Sequence, residues 1–359
     1  MKQLSDNMTK KSLRLLKERF IQKMIFFQRT NDFLRKFFLI HRFYRYLNIE
    51  RAYNLSFVFP QVLFVESTNN CNIRCIFCPR RMSRKKIGNM NFKLFKKIVD
   101  ECTNYKKLFE LYLHKDGEPL LAQNLPKMIK YAKDKKISEK VAIATNGILL
   151  DEKKSLQILK SGLDEMTVSL DAVTPETYEK IKGVPAFNFN VIEQNIKRFI
   201  ELRNGQNLTN PMVKLKIIYM KETKKEVNDF IKKWKPIADS VPVRAYITWA
   251  KSVNDRNVKS IKFPSEPHPC LAPFGNLAIN WDGEVSVCCV DWNKDLIVGD
   301  VNKETIYEVW HGDKLRELRL RHLKGDLKGL QCKVCDFRAS LPKMNVLYRK
   351  RFKNKTLSA

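Results

Sequence analysis

Val62-Leu63-Phe64-Val65-Glu66-Ser67-Thr68-Asn69-Asn70-Cys71-Asn72-Ile73-Arg74-Cys75-Ile76-Phe77-Cys78-Pro79-Arg80 carries more information than any other stretch of the 359-residue chain. Its first four residues are apolar and read as a β-strand. Three thiols follow, Cys71, Cys75 and Cys78, in a CxxxCxxC spacing that gathers them on one loop. Three thiolates can hold three corners of a cubane [4Fe-4S] cluster and leave the fourth iron open to chemistry.

Other uses of thiols fit less well. A structural zinc site takes four ligands, usually as two paired knuckles, and no fourth Cys or His lies close by in sequence. Nine cysteines is an odd number and no secretory signal opens the sequence, which argues against a disulfide framework.

The loop, with the aromatic Phe77 before its third Cys and a first strand ahead of it, resembles the signature of radical S-adenosylmethionine (radical SAM) enzymes. The resemblance implies a [4Fe-4S] cluster on Cys71, Cys75 and Cys78 whose open iron chelates SAM. It also implies reductive cleavage of SAM to a 5'-deoxyadenosyl radical that abstracts hydrogen, with electrons from a reductant such as flavodoxin or ferredoxin.

Strand and helix alternate downstream of the loop. Apolar, β-branched-rich runs occur at Val62 to Glu66, Leu108 to Leu113, Val141 to Thr145, Met166 to Leu170, Leu215 to Met220 and Val243 to Trp249. Amphipathic stretches lie between them, with start signals such as Thr174 ahead of Pro175, and Thr223 three residues before Glu226 as a capping box. This alternation predicts an α/β fold with a parallel sheet and right-handed crossovers. Six units fall short of a closed eight-stranded barrel. A partial (β/α)6 TIM-like barrel is also what the resemblance implies.

Parallel α/β sheets collect ligand groups at the carboxyl ends of their strands. The segment His114-Lys115-Asp116-Gly117-Glu118-Pro119 follows the second strand and resembles the family's Gly-Gly-Glu-Pro motif, with Asp116 in place of the first glycine. The resemblance gives Gly117, Glu118 and Pro119 to the SAM amino group. Thr145 and Asn146 close the third strand, and Ser169 and Asp171 flank the end of the fourth, all expected around SAM. Period two points Ser169 and Asp171 to one side. Lys216, Tyr219, Tyr246 and Thr248 on the last two strands are expected to face adenine or substrate. Ordinary turn chemistry accounts for Asn-Gly and Asp at such places as well.

A second thiol set lies beyond a run with Pro264, Pro267 and Pro269. Cys270, Cys288, Cys332 and Cys335 frame two apolar runs around Asp282-Gly283, a hairpin signal, and a helix expected from Thr305 to Leu320. By spacing, four such thiols suit zinc or an iron-sulfur cluster. Together with Gly299-Asp300-Val301 and Val309-Trp310, the pattern resembles the Twitch domain, a shortened SPASM domain. That resemblance implies one auxiliary [4Fe-4S] cluster. Cys289, beside Cys288, is a candidate hydrogen donor or a packed thiol. Cys102 reads as a core thiol. His114, Asp291 and Asp116 are candidate proton acceptors, and His268, His311 and His322 show no ligand pattern.

The resulting organisation is a basic amphipathic helical extension over 1–58, the barrel over 59–262, the Twitch/SPASM-like module over 263–340 and a basic tail over 341–359. The extension reads as two helices between Ser12 and Leu47, whose apolar faces either pack on the catalytic domain or lie in a membrane interface. The chain carries 68 Lys plus Arg against 38 Asp plus Glu, a net charge of +30. Such an excess attracts an anionic partner. No recognised RNA-binding module is present, so nucleic acid is not the expected one. The expected location is cytoplasmic, with peripheral contact on the inner membrane face as a variant.

Resemblance to 2-deoxy-scyllo-inosamine dehydrogenases implies a radical SAM oxidoreductase, a dehydrogenase or an epimerase, acting on a sugar, cyclitol or lipid-linked glycan. The alternatives are a radical SAM peptide maturase and, in another class, an RNA-binding or RNA-modifying protein.

Overall fold

A computed structural model describes residues 56–83, 85–258 and 269–340. The two expected N-terminal helices, Pro264, Pro267, His268 and the basic tail lie outside the described residues.

Six strands pair in parallel in chain order: β1 (Val62–Val65), β2 (Leu108–Tyr112), β3 (Ser138–Thr145), β4 (Glu165–Ser169), β5 (Met212–Tyr219) and β6 (Val243–Ala245). The connections carry α1 (Phe92–Cys102), α2 (Leu125–Asp134), α3 (Glu152–Lys160), α4 (Pro175–Lys182), α5 (Phe187–Gly205) and α6 (Val227–Trp234). This is the parallel α/β sheet of a partial barrel. The core lies between sheet and helices, where Leu63, Val65, Leu111, Met166, Val168 and Leu215 are buried.

Local chemistry starts the helices. Asn91 accepts a hydrogen bond from the Lys93 N–H ahead of α1, and Asp151 accepts one from the Lys154 N–H ahead of α3. Buried Phe95, Ile98 and Val99 then turn one face of α1 to the core, each contributing roughly 1.5–3 kcal/mol through lost apolar exposure. Thr174 caps α4 with Pro175 in its first turn, and Gly183 ends it at φ 65, left-handed backbone that favours glycine.

Three local expectations are corrected. The capping box of Thr223 and Glu226 does not form. The Thr223 hydroxyl instead bonds the Ile218 carbonyl at the end of β5, and Glu226 reaches back to the Val173 N–H and the Thr177 hydroxyl. Strand β6 ends at Ala245, because the following chain turns through Trp249, Ala250 and Lys251, all at positive φ. The helix expected from Thr305 is two helices, α7 (Ile306–His311) and α8 (Asp313–Lys324), separated by Gly312 in extended conformation. A capping box does form there, between Thr305 and Glu308.

The expected hairpin is β7 (Asn276–Ile279) and β8 (Glu284–Ser286), followed by the antiparallel β9 (Ile297–Asp300). Its place in the sheet was not legible. Strand β7 pairs in parallel with β1, from Val62 opposite Asn276 to Val65 opposite Ile279. The described strands therefore form one nine-stranded sheet in the order β6-β5-β4-β3-β2-β1-β7-β8-β9. The second thiol set thereby lies on the β1 side of the first. No helix among the described residues is long and apolar enough to cross a membrane.

Candidate active site

The cysteine loop leaves β1 and returns over the strand ends. Cys71, Cys75, Cys78 and Phe77 line a cavity of about 200 Å³ together with His114, Gly117 and Glu118 from beyond β2. Thr145 and Asn146 after β3, Ser169 at the end of β4 and Lys216 on β5 complete the wall beneath Trp249. A sequence span of more than a hundred residues converges here because parallel strands end on one side.

Glycine at 117 is a steric requirement. A Cβ there would sit 2.2 Å from the Thr68 carbonyl oxygen and 2.6 Å from that of Asn70. The next N–H, of Glu118, donates to the Asn70 carbonyl at 2.6 Å. The Gly-Glu-Pro segment therefore packs directly on the backbone that leads into Cys71.

Glu118 organises the opposite wall. Its carboxylate accepts the Thr145 hydroxyl at 2.7 Å and the N–H groups of Asn146 and Leu120 at 2.7 and 3.0 Å. Burial nevertheless outweighs these donors and pushes its pKa up to about 6. Asn146 also bonds Asn72 of the cysteine loop through its side chain. Pro119 is buried and opens a short 3-10 turn.

Asp116 fills the place of a glycine. Its carboxylate is paired with Lys85 at 2.8 Å and with Lys115 at 2.7 Å, and its N–H donates to the buried Glu66 carboxylate. Burial raises the Glu66 pKa, and the nearby Asp116 charge adds to the effect. Burial would lower that of Lys115, but Asp116 and Glu66 outweigh it and hold it up. Lys115 also donates to the Asp291 carbonyl, so this charge network ties the β2 end to the β8–β9 connection.

Four expectations on side-chain roles are corrected. Asp171 is wholly buried at φ 61, bonded to Lys182 and to the Ile218 N–H, and it does not line the cavity. The Asp291 carboxylate accepts from the Asp295 and Leu296 N–H groups and from the Gln331 side chain, so it is a loop-fixing group rather than a proton acceptor. His114 lines the cavity, but its Nδ1 accepts the Ala144 N–H, which leaves the ring proton on Nε2. Burial, helped by Lys216, drives its pKa down to about 4, so the ring is a donor at neutral pH. Of the late-strand candidates only Lys216 lines the cavity. Tyr219 is exposed, the Tyr246 hydroxyl bonds the Asn254 carbonyl, and the Thr248 N–H bonds Asp336.

Lys182 went unread in the sequence. It ends α4, lines the cavity, lies 5.2 Å from the Phe77 ring centroid and bonds the Ser169 carbonyl at 2.6 Å. Its only sequence signal is a position on the buried stripe of α4 with Tyr178 and Ile181.

The second thiol set also converges. Cys288 lies within electrostatic reach of Cys270 and Cys332, and Cys332 within reach of Cys335. Cys289 lies within reach of Cys288 and also of Lys115 and Asp116, and burial pushes its thiol up to about 11. Cys102, the last residue of α1, is buried in the core.

Among the described residues no three His, Cys, Asp or Glu are arranged around a single metal ion. The fit rests on donor chemistry and placement. Burial pushes Cys75 and Cys78 up to about 11 and 12, and Cys270 and Cys332 to about 12, so thiolates form there only with a cation alongside. His322 accepts the Cys270 N–H at Nδ1, while its buried Nε2 has no partner in the structure, as expected of a donor facing an acceptor that the chain does not supply. The residues fit [4Fe-4S] groups at both sets.

The family model described as the radical SAM superfamily matches residues 65–233. That stretch is a radical SAM domain. An iron-sulfur cluster-binding SPASM model matches residues 270–336 of this radical SAM protein. A [4Fe-4S] cluster, an auxiliary cluster and SAM are the cofactors of that combination.

Among the relatives, the tungsten-containing aldehyde ferredoxin oxidoreductase cofactor-modifying protein of Pyrococcus furiosus is 25% identical over 165 residues. That match spans 46% of this chain and only 45% of the relative, less than half its length. The S-adenosyl-L-methionine-dependent 2-deoxy-scyllo-inosamine dehydrogenase of Niallia circulans is 23% identical over 276 residues, 76% of this chain and 91% of that one. SuiB of Streptococcus suis, solved with the precursor peptide SuiA, shares the fold at a TM-score of 0.58 and 16% identity, covering 79% of this chain and 71% of that one.

Proposed function

We propose that this radical SAM enzyme is a dehydrogenase that oxidises a carbinol carbon of a sugar- or cyclitol-like substrate to a ketone. The observation that carries this reading is the alignment with the 2-deoxy-scyllo-inosamine dehydrogenase, which runs through 91% of that protein. Cys71, Cys75 and Cys78 would hold the SAM-binding cluster, and Cys270, Cys288, Cys332 and Cys335 one auxiliary cluster. When bound, these groups supply a hydrogen-abstracting radical and an acceptor for a second electron.

The chain's own part is positioning and proton transfer. Glu118, with Phe77, Gly117, Pro119, Thr145 and Asn146 around it, orients the amino end of SAM, and Ser169 takes the ribose side. Lys182 fixes Phe77 and the end of β4. Removal of one hydrogen atom, one proton and one electron turns a carbinol into a ketone. Asp116 is the proton acceptor best supported, since it lines the cavity and its carboxylate is fixed there by ion pairs to Lys85 and Lys115. An external one-electron donor such as flavodoxin or ferredoxin starts each turnover.

Anaerobic reconstitution should load about eight irons per chain, and Cys71→Ala, Cys75→Ala and Cys78→Ala together should leave about four. With SAM, reductant and a panel of carbinol-deuterated cyclitols and sugars, deuterium should appear in 5'-deoxyadenosine beside a ketone product. Asp116→Asn should slow ketone formation by about a hundredfold. A deuterium-abstracting enzyme whose product keeps the substrate's oxidation level would refute the dehydrogenase reading.

A further inference from the structure

A second cavity, of about 400 Å³, lies against the outer side of the cysteine loop. It shares Cys71, Arg74, Arg80, Arg81 and Asp116 with the cavity described above, so the two form one continuous recess. Four cations, Arg74, Arg80, Arg81 and Lys85, and one carboxylate, Asp116, line it.

The charges are not mutually satisfied. Asp116 is already paired with Lys85 and Lys115. Arg80 spends its Nε–H on the Asn69 carbonyl, which fixes the guanidinium and leaves its terminal nitrogens undirected by that bond. Arg74 and Arg81 make no ion pair with any acid among the described residues. Arg74 and Arg81 are exposed and Arg80 is half-buried, so all three guanidinium groups are accessible to an anion that enters the recess. Their planar forks match the oxygens of a phosphoryl group. Trp292 stands on the same wall, its Nε1–H bonded to the Ser252 hydroxyl at 3.0 Å, which holds the indole still. A fixed indole is a suitable surface for the apolar face of a sugar ring.

We infer that this recess is a phosphoryl subsite, and that the substrate is a phosphate-bearing sugar or cyclitol whose phosphate sits among Arg74, Arg80 and Arg81. The inference rests on the dehydrogenase reading for the reaction, but departs from its relative on the substrate. An aminocyclitol would bring positive charge to this wall, whereas a phosphate ester neutralises it.

Inorganic pyrophosphate is the probe, titrated calorimetrically into the full-length, anaerobically reconstituted protein with SAM present, all samples matched for iron. Arg74→Gln with Arg81→Gln should weaken binding at least about tenfold, the equivalent of one charge-assisted hydrogen bond. The charge-matched control Lys153→Gln with Lys160→Gln, on exposed positions of α3, should change it less than about twofold. Arg81→Gln alone, beyond the last loop cysteine, should weaken binding severalfold even if the double variant loads iron poorly. Displacement of pyrophosphate by uridine diphosphate indicates a soluble carrier. Displacement by phosphatidylcholine vesicles containing a polyprenyl phosphate indicates a lipid carrier, and either result supports the subsite. Equal weakening in the control, or no binding to the wild type, overturns it. Pyrophosphate binding at the arginines without any ketone product would keep the subsite and reject only the oxidation.

Discussion

Lys182 and Asp171 form an ion pair of 2.7 Å with side chains 1% and 0% exposed to solvent. The lysine belongs to the end of α4 and the aspartate to the turn after β4, so the pair joins helix to strand directly below the cysteine loop. Arg74 and Ile76 of that loop donate their N–H groups to the carbonyls of Lys182 and Ile181. Burial alone would lower the lysine's pKa, and the Asp171 carboxylate overcomes it and keeps the ammonium charged. Lys182→Met should therefore leave a buried carboxylate unpaired and cost about 3–5 kcal/mol, read from urea denaturation. Adding Asp171→Leu should recover only part of the loss, because the Ile218 N–H then has no acceptor. An unchanged midpoint for Lys182→Met would mean that the pair does not hold the loop.

Gly117→Ala tests the contact between the Gly-Glu-Pro segment and the cysteine loop. The added carbon meets backbone oxygens at 2.2 and 2.6 Å, and backbone cannot rotate away as a side chain would. The variant should lose iron from the first thiol set and about 1–3 kcal/mol of stability. Gly205→Ala, at the end of α5 with nothing within 4 Å of the new carbon, should instead be neutral or stabilise by up to about 1 kcal/mol. Iron analysis and thermal unfolding of the two variants side by side decide this.

Glu118 gives a pH dependence with a definite sign. Its ordinary value is 4.5 and its value in the fold is about 6, so the folded chain binds this proton more tightly than the unfolded chain. Its stabilising contribution is complete below about pH 4.5 and declines as pH rises through 6. Recognition of the SAM ammonium group needs the opposite, ionised form. SAM affinity, measured by equilibrium dialysis of reconstituted protein, should fall as pH drops below about 6, and Glu118→Gln should bind weakly without that inflection. A wild-type affinity independent of pH across this window would separate Glu118 from SAM.

The six parallel strands are legible in the sequence because each reads as a short apolar run and each crossover as an amphipathic one. The thiol loop and the Asp282-Gly283 hairpin were legible for the same reason: spacing and turn chemistry act over a few residues. The Thr223–Glu226 capping box looked equally local and did not form, since Glu226 found partners at Val173 and Thr177, about 50 residues earlier in the chain.

Side-chain roles needed the assembled fold. Asp171 and Asp291 looked like site carboxylates because they stand near strand ends and thiols, yet burial gave each a full set of structural partners. Lys182 looked like one more helix lysine until Asp171 made its burial affordable. The pairing of β7 with β1, which brings the two thiol sets to neighbouring parts of one sheet, joins residues more than 200 positions apart. Local patterning thus determined which elements exist and where the thiols cluster. Only tertiary packing decided which charges are spent on each other, as Lys182 and Asp171 are, because desolvation depends on neighbours brought from distant sequence.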